Sequence, residues 1–319
     1  MNDNIEGLAE DFFQSTNILI LGNGFDIDLG LKTRYSDFYT SRYWPFNNPS
    51  SKMSEYLQKE KERTKNWMDV EAALGDYAYG RQTGLVKGNV HLSSYNENDG
   101  KDFSTLVNSL RNYLTEAEKQ EIDANSTAAS VLMVHLNTIA VPHIFSFNYT
   151  DLHKIANKLA IPTTFSYKHI HGNLAENNII LGVGEKYSFN QLEHLPEKMD
   201  FLYKTSSPNY NPPLMADILN KACCVTFFGL TIGGMDAPYF SGLFQNLSSQ
   251  TGKTITFFTY DEQSKLQILR HLRNVESINL HDVWTRHTIE FIRTGCQEDI
   301  YKIKNYLQRV KGGHLRINT

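Results

Sequence analysis

Short apolar runs rich in β-branched and aromatic residues recur along the chain, and each leads into a turn or a helical pattern. The runs lie at 17–23, 141–149, 167–173, 223–230, 253–260 and 276–283. Helical patterns such as DLHKIANKLA (151–160) and DEQSKLQILRHLRN (261–274) separate them. Continuous apolar strands that alternate with helices are typical of a parallel sheet covered on both faces. The sequence therefore predicts an α/β protein with a doubly wound, mostly parallel sheet.

The first two runs are separated by more than a hundred residues, which is far more than one crossover helix needs. The interval carries helical patterns, for example at 102–123 and 126–140, and no convincing strand. We therefore predict an α-helical insertion at 45–135 that covers the ligand site. The core of the fold is predicted to comprise 1–44 and 136–319.

Composition and charge argue against several classes of protein. The formal net charge of -4 provides no general attraction to nucleic acid or to an anionic membrane. The acidic first sixteen residues are unlike a secretory signal, and no apolar run approaches the ~20 residues of a membrane-spanning helix. Three cysteines without a C-x-x-C motif predict neither a disulfide framework nor a zinc ribbon. We expect a soluble, cytoplasmic protein with no membrane or nucleic-acid partner.

The first predicted strand ends in the segment GNG (22–24) and enters a helix. Bare backbone N–H groups at such a turn are suited to holding a phosphate. The same segment also fits an ordinary turn in which Asp26 or Asp28 caps the helix. The fingerprint G-x-G-x-x-G fails because Ile27 replaces its third glycine, and the P-loop spacing fails as well. Any nucleotide site here is therefore of another kind.

A second candidate segment, FSFNYTDLHK (145–154), ends an apolar strand and begins a helix. Thr150 or Asp151 is a plausible N-cap of that helix. Capping does not explain Asn148, which lies at the carboxyl end of the strand, where open α/β sheets bind ligands. We therefore predict that Asn148 contacts a ligand.

The segment YKHIHGN (167–173) carries two histidines on one face of a strand, His169 and His171. An H-x-H pair can bind a metal, but no carboxylate motif accompanies it, and we predict no metal site. A core histidine satisfied by a backbone carbonyl is the commoner fate of either ring. Gly172 favours His171 as the functional ring, because a neighbouring glycine lets a ligand approach closely.

The segment FFGLTIGGMDAPYF (227–240) runs from a buried strand into three glycines and Asp236. Asp236 followed by Pro238 fits a helix N-cap with proline in the first turn. The glycines predict a close approach of the backbone to another group.

Taken in order, the motifs GNGFDxxxGL, FNYT, HG and GxTxGGxD resemble the bacterial AbiH abortive-infection family, and behind it the sirtuin-like NAD-binding superfamily. The similarity spans 17 to about 240, and NWMDVEAAL (66–74) is similar to a tryptophan-acidic segment of AbiH proteins. The resemblance implies a Rossmann-like fold with NAD as substrate or ligand. It also implies an anti-phage role with a phage-derived trigger, and self-association into oligomers.

Sirtuin-type enzymes hold the NAD phosphates with a glycine loop, contact the ribose or water with an asparagine, and use a histidine before glycine as the base. By match, Gly22, Asn23 and Gly24 form the loop. Asn148 matches the asparagine and His171 matches the base.

The remaining matches concern the outer parts of the ligand. Gly30 corresponds to a later glycine of the loop, and Gly229 with Thr231 to a segment near the adenosine half. Asp236 is a candidate for holding a loop or a ribose hydroxyl. The four-cysteine zinc module of sirtuin deacylases has no counterpart here, which favours simple NAD breakdown over deacylation.

The chemistry expected from the resemblance is cleavage of NAD to nicotinamide and ADP-ribose. His171 would act as base near neutral pH, and Asn148 would orient ribose or water. Asp26 stands where sirtuins carry serine, and it either caps its helix or stabilises the cationic sugar. Of Asp69 and Glu71, two residues apart, at most one can enter the site, for which Glu71 is the candidate, although a solvated helix suits both better.

Two other functions remain open at this stage. Because Thr150 replaces the aspartate of the sirtuin motif, the site could bind NAD, ADP-ribose or a signal nucleotide without turnover and act through a partner. A nuclease has little support, since paired carboxylates at metal-binding spacing are missing from the sequence.

Overall fold

A computed structural model of the protein describes residues 17–64, 69–83, 86–87, 90–91, 98–122, 127–138, 143–184, 197–210, 215–275 and 278–311. The acidic first sixteen residues and Trp67 of the segment NWMDVEAAL lie outside these ranges. No helix in the described part of the chain combines the length and the apolarity needed to cross a bilayer.

In the described part of the chain, six strands form one parallel sheet. The strands are β1 Asn17–Leu21, β4 His143–Ser146, β5 Lys168–His169, β6 Cys224–Phe228, β7 Thr254–Thr259 and β8 Thr288–Arg293. Their order across the sheet is β5-β4-β1-β6-β7-β8, so the chain winds outward in both directions from β1 and β6. This is the doubly wound order of Rossmann-like folds, and the predicted fold class is confirmed.

Two short strands, β2 Val86–Lys87 and β3 Val90–His91, form a separate antiparallel pair. They lie within the interval that was expected to contain no strand, and each is too short to produce an apolar run in the sequence. The boundaries of the insertion at 45–135 stay a prediction.

Helices surround the sheet. In chain order they are α1 Asn23–Asp28, α2 Tyr35–Thr40, α3 Lys52–Thr64, α4 Val70–Thr83, α5 Asp99–Glu118, α6 Ala128–His135, α7 Leu152–Lys158, α8 Met215–Lys221, α9 Ala237–Asn246, α10 Glu262–Asn274, α11 Leu280–Arg286 and α12 Ile300–Lys311.

The central strand β1 is buried on both faces, as a doubly wound sheet requires. Leu19 and Leu21 pack with residues of α1, α6, α7 and α12 on one face, whereas Ile18 and Ile20 pack with α8 to α11 on the other. All four side chains are at most 2% exposed. Although α6 falls within 45–135, it therefore belongs to the layer that covers the sheet.

Helices α2 to α5, here called the helical layer, have an apolar core of their own. Leu57, Leu74 and Leu110 are buried in this core. Glu118 at the end of α5 fastens the layer to the sheet, because its Oε1 accepts the N–H of Asp151 over 2.8 Å. This contact joins the helical layer to the start of α7, which follows the carboxyl end of β4.

The predicted strand at 276–283 is wrong. Residues 276 and 277 lie outside the described ranges, and helix α11 begins at Leu280. Asn279 caps this helix, since its side chain accepts the N–H of His281 over 3.0 Å. The sixth strand is β8, which pairs with β7 along its whole length. Pairing with a neighbour, rather than the apolar run, decides which segment becomes the strand.

Candidate active site at the carboxyl edge of the sheet

Four of the predicted site residues lie at the carboxyl edge of the sheet. Asp26 follows β1, Asn148 follows β4, His171 follows β5 and Asp236 follows β6. Ligands of open α/β sheets bind at this edge, near the point where the strand order reverses. The four residues form two groups of contacting side chains, one around Asp26 and one around His171.

Asp26 is the centre of the first group. Asn148 Nδ2 donates to Asp26 Oδ1 over 2.8 Å, and Thr150 Oγ1 donates to Asp26 Oδ2 over 2.8 Å. Burial raises the pKa of Asp26 to about 7, although both hydrogen bonds act in the opposite direction. The capping prediction is wrong for Asp26 and Asp28, because both lie inside α1, whose N-cap is Gly22. Asp28 instead accepts an N–H in the first turn of α6 over 2.8 Å.

The side-chain amide of Asn148 is only partly satisfied by hydrogen bonds within the protein. Its Nδ2 is held by Asp26 and by the carbonyl oxygen of Gly22, 3.0 Å away. Its Oδ1 is buried and has no hydrogen-bond partner among the described residues. A buried acceptor without a donor is costly, so this atom suits a hydroxyl group or a water molecule. A ribose hydroxyl fits that requirement.

His171 is the centre of the second group. Its Nε2 lies 3.3 Å from Asp236 Oδ1 and 3.4 Å from Lys204 Nζ. Lys204 Nζ also lies 3.0 Å from Glu71 Oε1. The imidazole meets the ring of Phe147 edge-on at 5.2 Å, and the residue is only 5% exposed. The ring is therefore enclosed, yet Phe147 directly precedes Asn148 and connects the two groups.

Burial and mutual contact set the charges of the second group. Burial, and then the Lys204 ammonium, lower the pKa of His171, which keeps the imidazole neutral at pH 7. Burial raises the pKa of Glu71 to about 7 against the pull of Lys204. For Asp236 burial is outweighed by Lys204 and His171, and the pKa falls to about 2. Asp236 Oδ1 has no contact of good hydrogen-bond geometry, so its attraction to Lys204, 3.5 Å away, is that of an ion pair.

Asp236 occupies the predicted N-cap position of α9, with Pro238 in the first turn. Its side chain, however, makes no capping hydrogen bond and faces His171 and Lys204 instead. The prediction of a purely capping role is therefore wrong. By contrast, Asp151 caps α7 as predicted, since its side chain accepts the N–H of His153 over 2.8 Å.

The glycine loop after β1 packs against the loop after β6. The N–H of Gly22 donates to Phe228 O over 2.9 Å, and the N–H of Gly24 donates to Gly229 O over 2.8 Å. A Cβ on Gly24 would lie 2.5 Å from Gly229 Cα, so the contact of the two loops requires glycine. Both N–H groups are thus paired with carbonyl oxygens, and a phosphate would have to compete for them.

The other residues that were predicted to contact the ligand either have local structural roles or are exposed to solvent. Asn23 Oδ1 accepts the hydroxyl of Thr33 over 2.5 Å. Gly30 has a φ of 86° and ends α1, where Leu31 N donates to a carbonyl of the last turn. Thr231 is exposed in the loop after β6. The contacts of these residues with NAD stay a prediction.

His169 is a core histidine, because its Nδ1 lies 2.9 Å from Asn148 O. The reason for preferring His171 was wrong, although the preference itself stays a prediction. Gly172 has a φ of 74°, and a Cβ there would overlap Asn178 O, so the backbone rather than a ligand requires glycine. No group of three or more His, Cys, Asp or Glu side chains within the described ranges could hold a metal ion.

Two members of the second group were missed or undervalued by sequence reasoning. As predicted, only one of Asp69 and Glu71 enters the site. Asp69 is exposed and accepts the N–H of Ala72, whereas Glu71 contacts Lys204 within the site. The assignment of Glu71 to a solvated helix is wrong. Lys204 carries no signal in its segment FLYKTSS, because its partners are all distant in the chain.

Comparison with known proteins agrees with the order of the motifs. The family model described as "Bacteriophage abortive infection AbiH" matches residues 18–259, which include every residue of both contacting groups. No curated protein matches the chain. Because the family match covers most of the sequence, the chain belongs to the bacteriophage abortive infection AbiH family.

Proposed function

We propose that this protein is an anti-phage abortive-infection enzyme that hydrolyses NAD to nicotinamide and ADP-ribose. Family membership supports the role in abortive infection, and the likeness of the motifs to sirtuin-like proteins supports NAD. The observation that carries an enzymatic role is the gathering of two buried side chains, Asp26 and His171, and two partly buried ones, Glu71 and Asp236, at the carboxyl edge of the sheet with displaced pKa values. Such clusters are typical of catalytic sites.

His171 is the base of the proposed reaction. Hydrolysis breaks the bond between ribose C1′ and the nicotinamide nitrogen, which keeps the electron pair. Water forms the new bond to C1′ and loses a proton, which a neutral imidazole can accept near pH 7. Asp236, held ionised 3.3 Å from Nε2, stabilises the imidazolium that results.

Asn148 and Asp26 act at the ribose of NAD in the proposed reaction. The free Oδ1 of Asn148 accepts a ribose hydroxyl or the attacking water, and the bonds of Nδ2 fix the orientation of the amide. Asp26, when ionised, balances the positive charge that develops on the sugar. Because the pKa of Asp26 is about 7, this contribution grows as the pH rises through neutrality.

A ligand can reach His171 only if part of the protein around the ring moves. The ring is enclosed by Phe147, Tyr239 and Lys204, and Glu71 of the helical layer holds Lys204 in place. A dinucleotide therefore reaches the ring only when the helical layer shifts away from the edge of the sheet. Loop and domain movements of this kind commonly admit substrates to buried sites.

The same enclosure favours a second function, a non-catalytic sensor of NAD, ADP-ribose or a signal nucleotide. Glu71 belongs to the helical layer, whereas His171 and Asp236 lie in the segments that follow β5 and β6 of the sheet. A ligand that separated them would move the helical layer, which could pass the bound state to a partner protein.

A time course of NAD incubated with the protein, read by chromatography, tests the enzyme. The wild type should form nicotinamide and ADP-ribose, with or without extract of phage-infected cells as the trigger. His171→Ala should lower the rate about 10²- to 10⁴-fold, the range for a positioned base. His281→Ala, which alters an exposed histidine of α11, should have no effect.

Two results would reject the enzyme. One is protection of cells against phage by a wild-type protein that leaves NAD intact under both conditions. The other is full protection and unchanged ligand affinity in His171→Ala, which would favour the sensor.

A further inference from the structure

Lys204 is the meeting point of three segments that are distant in the chain. Its ammonium group has three N–H donors, and three side chains surround it. Glu71 from α4 lies 3.0 Å away, His171 Nε2 lies 3.4 Å away and Asp236 Oδ1 lies 3.5 Å away. With its side chain only 3% exposed, Lys204 has little access to water and depends on these partners.

The backbone holds Lys204 firmly in this place. The N–H of Lys204 donates to Val183 O over 2.9 Å, and Val183 N donates to Leu202 O over 2.8 Å. The same segment is joined to the site histidine, because Ile180 N donates to His171 O over 2.7 Å. The lysine and the histidine are therefore fixed relative to each other by main-chain bonds as well as by their side chains.

We propose that Lys204 is a positioning residue of this site, whose ammonium holds His171 and Asp236 in one arrangement and ties both to Glu71 of the helical layer. Its part in catalysis rests on the NAD hydrolysis proposed above. Because an ammonium can only donate, the contact of Lys204 with Nε2 favours the neutral tautomer that carries its proton on Nδ1. When Nε2 accepts a proton, Asp236 is the carboxylate beside it, and Lys204 keeps its bond to Glu71.

The balance of charge around His171 follows from this arrangement. Lys204 disfavours a proton on the ring, whereas Asp236 favours it, and burial adds to the effect of Lys204. Among the described residues, the titratable groups that face the ring or its direct partners include Lys204, Asp236, Glu71, Asp69, Tyr239, Tyr149 and Tyr35. Removing the lysine or the aspartate should thus move the pKa of His171 in opposite directions.

Nuclear magnetic resonance of the full chain, with labelled histidine side chains, measures this directly. The His171 signal is identified by its loss in His171→Gln. The double variant Lys204→Met with Glu71→Gln removes both charges of one ion pair, and it should raise the pKa of His171. Asp236→Asn should lower the pKa, and Lys204→Arg should leave it nearly unchanged.

A matched control is Lys154→Met. Lys154 also pairs with a buried carboxylate, Glu118 Oε2 at 2.6 Å, but it lies on α7 outside both contacting groups. This variant should leave the titration of His171 as in the wild type. This control separates the general effect of losing a buried ion pair from the specific effect of losing the cation beside the His171 ring.

The activity assay provides the second readout. The double variant should lower kcat about tenfold, less than removal of the base itself, and should move the acidic limb of the pH profile upward. Lys204→Arg should restore both. If wild type fails to cleave NAD, the proposed function fails, but the titration still decides the role of Lys204.

An unchanged pKa of His171 in the folded double variant would overturn the role of Lys204. Should that variant not fold, the same decision falls to Lys204→Arg and Asp236→Asn. A clear shift in the arginine variant, or a rise in the asparagine variant, would overturn it equally.

Discussion

Replacing Asp26 by asparagine should flatten the dependence of stability on pH. Burial raises the pKa of Asp26 from its ordinary value of 3.8 to about 7. Between these values the folded protein keeps a proton that the unfolded chain has released. The free energy of unfolding therefore falls as the pH rises from about 4 to about 7, and it stays level above that. A shift of about three pH units, at about 1.4 kcal/mol each, corresponds to about 4 kcal/mol.

The asparagine variant keeps the shape of the side chain and removes its titration. Its oxygen can still accept from Asn148 Nδ2, and its NH₂ can donate to Thr150 Oγ1, because a hydroxyl also accepts. Glu71, whose pKa burial also raises to about 7, contributes to both proteins alike. The difference between wild type and variant therefore isolates Asp26.

Urea unfolding, followed by circular dichroism between about pH 5 and about pH 8.5, measures the difference. Relative to the wild type, Asp26→Asn should gain about 3 kcal/mol across this interval, because only the two pH units from about 5 to about 7 fall within it. Parallel curves for the two proteins would show that the folded and unfolded states bind the Asp26 proton equally. That result would refute the link between burial and charge drawn for this residue.

Two further pairs of substitutions test single contacts by urea unfolding. Glu118→Ala removes the buried acceptor of the N–H of Asp151, the N-cap residue of α7, and should cost about 2–4 kcal/mol. Glu116→Ala, which breaks an exposed ion pair two residues before Glu118, should leave stability nearly unchanged, and equal losses would contradict the anchoring role of α5. Gly252→Ala should cost about 1–2 kcal/mol, because its φ is 78° and nothing lies near the added Cβ. Gly172 has a similar φ of 74°, but Gly172→Ala should cost about 2 kcal/mol more than Gly252→Ala, because the added Cβ would overlap Asn178 O. Equal losses for the two variants would show that the loop around Gly172 moves to make room for the Cβ.

The parts of the fold that were predictable from sequence depend on local patterns. β1 is apolar at every position after its first, because both of its faces are buried, and such a run can be recognised without a structure. Asp151 caps α7 through N–H groups two and three residues away, so its role is also local. Local patterns were misleading in the segment before α11. Its apolar residues are typical of a strand, but Asn279 caps a helix there.

Several contacts in the site could not be predicted, because they depend on residues that are distant in the chain. Asp236 has the sequence of a cap, yet Lys204 and His171 attract its side chain away from the helix. Gly22 and Gly24 have the sequence of a phosphate loop, yet their N–H groups meet the carbonyl oxygens at the end of β6. Neither outcome could be predicted from the segments themselves, because each depends on which distant segments the fold brings next to them.

By itself, then, the sequence determined the layered α/β fold and which polar residues leave the ends of its strands, since periodicity and capping act over a few residues. Only the tertiary structure decided that Glu71, His171, Lys204 and Asp236 meet in one buried cluster. It also decided their charges, because desolvation and ion pairing arise only when the chain has folded and brought these groups together.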